Sequence, residues 1–328
     1  GYNQLYFDAN QNGDLTDDKP IPAADVQAQS SGGLAQSQFP PFDVQVEADG
    51  VQVDHAFLMS VLLRKSASSA YASASLYSGA VREGQIMQGG KKIKLMLVDH
   101  NSNGRFDDTV SIQRSGSRVS PSEGDLLLVN PNPRNRLSSD TTMGRDRHFV
   151  SKTVCIGKHF YKMDVSPSGD QLKLEPTELA IGYVANSSPA YRAVMCSDDF
   201  GVLLVGGTKD QKIPLPECQW QLVSYTIDGT AYTGGSRTTV TATFSDNPPP
   251  VSVSKDETIA LPFGAPFRPV VTASRSRGDT VYLSLAIVGV GGERCTSFYV
   301  NGRRPPQPNF EVRNKDGEVV HQGKFEYG

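Results

Sequence analysis

The chain predicts an all-β, multi-domain fold of sandwich or barrel type, on three observations. Apolar stripes of helical period are scarce. Short alternating or continuous apolar runs recur throughout. Gly, Pro, Asn and Asp punctuate those runs at hairpin spacing. With 328 residues, 31 Gly and 21 Pro, the chain is long enough for two or three separate cores. Its Gly and Pro content is that of a turn-rich globular protein, not of a collagen or a linker.

The chain opens on GYNQLYF (1–7), a strand-like run with no local hairpin partner. It reads as a processed or truncated end, compatible with removal of a signal peptide. Residues 66–81, SASSAYASASLYSGAV, fit a helix by alanine content and a strand equally by their serines and the Tyr71/Tyr77 spacing. Clear strand candidates are KIKLMLVD (92–99), DLLLVN (125–130), FGVLLVGG (200–207), QWQLVSYTI (219–227), TTVTATFS (238–245) and TVYLSLAIVGV (280–290). Turns are expected at PSGD (167–170), IDGT (227–230) and NKDGE (314–318).

Two polar, proline-bearing stretches divide the chain. NPNPRNRLSSDTTMGRDR (130–147) reads as a connection or an elaborate loop, and DNPPPVSVS (246–254) as a stiff boundary. Three domains are therefore expected: 1–147, 148–250 and 251–328. The last has the size and strand rhythm of an immunoglobulin-like sandwich, a likeness of architecture that carries no function.

A net charge of −3 gives no basic field, so nucleic acid is not an expected partner. No apolar run approaches the roughly 20 residues of a spanning helix, so no membrane-spanning segment is expected. The four cysteines, Cys155, Cys196, Cys218 and Cys295, form no C-x-x-C pair. In an oxidising compartment Cys196 with Cys218 is the most local pairing, and four buried thiols are the alternative.

One pattern carries chemistry. FDANQNGDLTDD (7–18) and VDHNSNGRFDD (98–108) say nearly the same thing about ninety residues apart. Calcium takes six to eight oxygen ligands, and a short loop supplies them when alternate residues carry carboxylate or amide oxygens and a glycine permits the sharp turn after the third. In the first copy Asp8, Asn10 and Asn12 stand at positions 1, 3 and 5, Gly13 at 6, and Asp14 at 7, where the main-chain carbonyl ligates; Asp17 and Asp18 follow. In the second, Asp99, Asn101 and Asn103 precede Gly104, then Arg105 at the carbonyl position, then Asp107 and Asp108. The alternative is a pair of metal-free Asn/Asp/Gly turns, but two copies in the same order favour calcium.

The second copy, D-x-N-x-N-G-x-x-D, resembles the shortened calcium loops of thrombospondin type 3 repeats and integrin α-chain propellers. The first is similar to a dockerin loop without its last acidic ligand and following helix; its twelfth position is Lys19, so Asp17 and Asp18 must close the site. In rhythm the chain also resembles uncharacterised secreted bacterial β proteins bearing such loops. About ten residues per copy carry the likeness, and the functions of those families do not transfer with it. Asn at positions 3 and 5 lowers the charge of each site, so the expected affinity is weak, on the order of 10⁻⁴ to 10⁻³ M, as in extracellular modules.

The expected location is therefore secreted, at the cell surface or in the periplasm. The expected role is structural or adhesive: a calcium-binding surface or filament subunit that pairs with itself. The opening strand and the closing hairpin FEVRNKDGEVVHQGKFEYG (310–328) are the edges that motivate self-assembly. The alternative is an accessory module binding carbohydrate, such as surface glycans, or protein. A hydrolase with an unrecognised carboxylate site ranks third, because the chain has no H-E-x-x-H, nucleophile elbow, Walker loop or dinucleotide fingerprint in context. Outside the loops the strongest acid is Glu293 in GGERC, which reads as an ordinary loop-edge glutamate. Trp220 reads as core.

Overall fold

A computed structural model describes residues 3–29, 34–65, 68–115, 118–131, 146–244, 249–275 and 280–327. Strand makes up 59% and helix 1%, arranged in several antiparallel, sandwich-like sheets, so the expected class holds. Two compact units emerge. One gathers most of the chain up to Thr177; the other takes the hairpin Ile112–Pro121 and the described residues from Glu178 onward.

In the first unit, β1 (Gln4–Leu5) and β2 (Ile21–Pro22) pair across the first Asp/Asn loop. The opening strand thus has a local partner, against expectation, because the loop folds the chain back on itself. Strands β3 (Asp25–Gln29), β4 (Leu34–Gln38), β5 (Phe42–Ala48), β6 (Val51–Lys65) and β7 (Ala70–Ser78) form one sheet around the long β6. β5 lies along the first half of one β6 edge and β4 along the second, with β7 on the opposite edge. The Ala/Ser stretch is a strand because every residue from Ala70 to Ser78 finds a partner on β6; tertiary pairing overrides alanine's helical preference.

β8 (Val81–Gln88) and β9 (Lys91–Val98) turn at Gly89–Gly90, and β10 (Ile112–Ser115) with β11 (Arg118–Pro121) is the hairpin that groups with the second unit. β12 (Leu126–Val129) and β13 (Arg147–Phe149) complete the sheet β13-β12-β9-β8, and β14 (Thr153–Ile156), β15 (His159–Val165) and β16 (Leu172–Pro176) form another. Alternation places Leu95, Leu97 and Leu127 in one cluster with Phe106, Val150, Val154 and Ile156, while Met96, Leu126 and Leu128 form a second. The continuous apolar runs in β9 and β12 are thus strands buried on both faces. Phe106, fully buried, belongs to the second Asp/Asn loop, which is therefore rooted in the core.

The second unit comprises β17 (Ile181–Ala185), β18 (Ala190–Ser197), β19 (Gly201–Thr208), β20 (Ile213–Pro216), β21 (Cys218–Asp228), β22 (Thr238–Thr243), β23 (Pro250–Val253), β24 (Thr258–Ala260), β25 (Arg268–Arg275), β26 (Val281–Val288), β27 (Arg294–Val300), β28 (Asn309–Arg313) and β29 (Val319–Lys324). Its main sheet runs β19-β18-β21-β22-β27-β26-β25, with β23 also on β21. Trp220 is fully buried, as expected, donates its indole N–H to Pro216 O at 2.9 Å and stacks on Phe200.

The expected division into three differs from this arrangement. Residues 153–176 fold with the first unit, and the immunoglobulin-like sandwich expected for 251–328 is not a separate body. β27 pairs β22 and β23 pairs β21, so strands on both sides of residue 250 share one sheet. The IDGT turn opens a 3₁₀ turn, Thr230–Thr233, before β22 instead of a tight hairpin. Most of the expected connection at 130–147 lies outside the described residues. All four cysteines are free thiols. Cys196 faces Gln221 across the β18–β21 ladder, three positions along from Cys218. That offset of about 10 Å exceeds the reach of a disulfide, which sets aside the most local pairing.

Candidate metal centre

The two Asp/Asn loops, nearly alike in sequence, have one geometry. In the first, Asp8 accepts the Asn12 amide on Oδ1 (3.1 Å) and the Gly13 amide on Oδ2 (2.8 Å). In the second, Asp99 accepts Asn103 on Oδ1 (3.2 Å) and Gly104 on Oδ2 (2.9 Å). Asn10 Oδ1 receives the Asn12 amide and Asn101 Oδ1 the Asn103 amide; Asn12 Oδ1 receives the Asp14 amide and Asn103 Oδ1 the Arg105 amide. The left-handed positions also coincide, Gln11 with Ser102 (φ 58° and 60°) and Gly13 with Gly104 (φ 80° and 87°).

The tenth position closes both turns. Asn12 Nδ2 donates to Asp17 Oδ2 at 2.8 Å, and Asn103 Nδ2 to Asp108 Oδ2 at 2.7 Å; Asn10 Nδ2 reaches Asp17 as well. Each loop therefore brings four expected residues together: Asp8, Asn10, Asn12 and Asp17, or Asp99, Asn101, Asn103 and Asp108. Asp18 Oδ1 accepts the Ala9 amide, while its Oδ2 is shut from solvent without a hydrogen-bond donor. Asp14 turns to Thr16, whose hydroxyl and amide bonds hold its carboxyl below the usual range.

Asp107 and the Arg105 side chain, which the loop pattern does not call on as a ligand, pair outside the cluster. The Arg105 guanidinium donates to both Asp107 oxygens and to Asp49, which raises its own pKa and lowers that of Asp49. Asp107 is thereby held by an arginine. Among the described residues no three His, Cys, Asp or Glu side chains are grouped to hold a metal ion. The donors of these loops are half amide, from asparagine.

Two residues that sequence reasoning passed over back the second loop. Asp125, fully buried, accepts the His100 amide at 3.0 Å and the Asp108 amide at 2.9 Å. Burial pushes its carboxyl up to about 7, against the pull of those two amides and with the Asp108 and Asp99 charges adding to the rise. His55, on β6, lies 2.7 Å from Asp99 Oδ2. Its Nδ1 accepts the Ala56 amide, so its proton sits on Nε2 and is donated to Asp99. The only sequence signal for Asp125 was an acid placed directly before the apolar run LLLV.

The glycines separate the loops energetically. A Cβ on Gly104 would lie 2.7 Å from Val46 Cγ1, whereas one on Gly13 would meet nothing within 4 Å. Gly13→Ala is expected to cost about 1 kcal/mol from positive φ alone, and Gly104→Ala about 2–4 kcal/mol through added overpacking. Urea unfolding of both variants tests this ordering; equal losses would contradict it.

Comparison with protein-family models, curated proteins and solved structures finds no match for this chain.

Proposed function

We propose that this is a calcium-binding β protein of the extracellular or periplasmic space, in which the two Asp/Asn loops each take one ion and serve a structural or adhesive role. The observation that carries this reading is the equivalence of the loops in hydrogen bonding, left-handed positions and closing Asn–Asp contact. Turn chemistry alone accounts for an Asx turn, but not for two acids held beside two amides at the same positions twice. The unpaired oxygen of Asp18 in the first loop adds to it, since a cation would satisfy a carboxylate oxygen shut from solvent without a donor. On ion entry the Asn12–Asp17 and Asn103–Asp108 contacts give way to oxygen–metal contacts. The first-position aspartates keep their hold on the glycine amides through one oxygen.

The two sites should differ. The second loop is rooted by Phe106 and by the His55–Asp99 contact, whereas the first is mostly exposed. Calorimetric titration with calcium is expected to resolve two sites, each on the order of 10⁻⁴ to 10⁻³ M or tighter, with the pre-organised second loop filling first. Asp99→Ala is expected to remove the tighter site and Asp8→Ala the weaker. No calcium uptake at 5 mM would end the proposal.

A further inference from the structure

We propose that a polar groove beside the first loop binds a neutral, hydroxyl-rich saccharide. The groove, about 960 Å³, has the outward face of the β5–β6 ribbon as its floor, with Asn10 and Gln11 on one side and Arg82 on β8 at another. That volume suits a short oligosaccharide. Strand alternation puts Asp43 and Gln45 on the same face of β5, and the ladder sets Gln45 opposite Asp54 on β6. Gln45 Nε2 donates to Asp54 Oδ1 at 3.2 Å, so an amide and a carboxylate already stand side by side. Such pairs both donate to and accept from adjacent hydroxyl groups, which is what sugar recognition requires.

The same lining argues against other ligands. Among the described lining residues the only Lys or Arg is Arg82, which donates through Nε to Ser168 O and through Nη2 to Asp54 O. With Asp43 and Asp54 opposing it, a phosphate or other anion is disfavoured. Among the described lining residues there is no Phe, Tyr or Trp, and the apolar ones are Ala or Val, so a greasy ligand would find little surface. A polyamine is the remaining competitor, since the two carboxylates outnumber the arginine; the side-chain amides favour hydroxyls instead.

Gln11 ties the first loop to this floor, its Nε2 donating to Gln45 O at 2.7 Å. An ion that orders the loop would therefore order one wall of the groove. That dependence on calcium, but not the groove itself, rests on the function proposed above.

The test titrates the full chain with neutral hexasaccharides (β-1,4-glucan, β-1,4-mannan and α-1,4-glucan) and separately with spermidine, in 5 mM calcium and in chelator. At least one saccharide should bind saturably at sub-millimolar to millimolar concentration. The double variant Asp43→Ala/Asp54→Ala should weaken it at least tenfold with unchanged melting temperature. Absence of saturable saccharide binding, binding indifferent to the double variant, or binding of spermidine alone would overturn the proposal. Chelator and Asp8→Ala should each weaken the saccharide at least threefold. Equal binding with and without calcium would overturn the loop's part as a wall. Saccharide binding by a chain that takes up no calcium would sink the calcium reading while leaving the groove standing.

Discussion

Chelation is expected to lower the melting temperature of the calcium-loaded protein by roughly 5–15 °C, with the first unit affected. An ion bound only by the folded state stabilises it by RT ln(1 + [L]/Kd). At 5 mM calcium and a Kd between 10⁻⁴ and 10⁻³ M, each loop contributes about 1–2 kcal/mol, and two loops in one unit about 2–5 kcal/mol. For a unit of this size each kcal/mol moves the midpoint by about 2–4 °C. The shift should grow with calcium between micromolar and millimolar concentrations, and magnesium should substitute poorly because it demands stricter geometry. Asp108→Asn tests the source of the effect, since its amide oxygen can still accept from Asn103 Nδ2 while the charge is removed. A melting temperature indifferent to both chelator and this substitution would show that hydrogen bonds alone hold the turns.

Glu293→Ala is expected to destabilise the second unit by about 3–5 kcal/mol, although the sequence marks this residue as an ordinary loop glutamate. Only 1% exposed, its Oε1 accepts the Tyr225 hydroxyl at 2.6 Å and the Gly264 amide at 2.9 Å. Removing it leaves two buried donors without an acceptor, at about 1–3 kcal/mol each, and a cavity besides. Gly264 and Phe263, whose ring stacks on Tyr225 at 4.2 Å, hold the segment from Leu261 against β21, so the loss should spread along that segment. Burial, the Glu293 hydrogen bond and its charge raise the Tyr225 hydroxyl well above the usual tyrosine range, and burial with the same charge pushes the Cys295 thiol up to about 12. Glu293→Gln is expected to stay within about 1 kcal/mol of the parent, because the amide oxygen keeps both donors and Oε2 has no partner to lose. Urea unfolding of the two variants checks the contrast; similar losses would show that charge, not hydrogen bonding, is what the site needs. Gly289 belongs to the same site, since a side chain there would overlap Glu293 Oε1.

The all-β class, the strands Lys91–Val98, Cys218–Asp228 and Thr238–Thr243, the buried Trp220 and the repeated loop were determined by the sequence alone, because each depends on local periodicity or on residues within about ten positions. The loops' internal bonds belong to that group as well: an Asp at position 1 and a Gly at position 6 set their own turn. What crosses the chain was decided only by the tertiary structure. His55 meets Asp99 from 44 positions away and Asp125 reaches His100 from 25, so neither shows in any local pattern. The arginine that holds Asp107 is itself held by Asp49, 56 positions before it, a contact that no local pattern carries. Glu293 was illegible for the same reason, its partners Tyr225 and Gly264 lying 68 and 29 residues earlier. The domain boundaries failed at the proline run because strands on either side of it pair with the same neighbours. Spacing along a chain reports which residues can form a turn; which charges share a buried volume is set by long-range strand register.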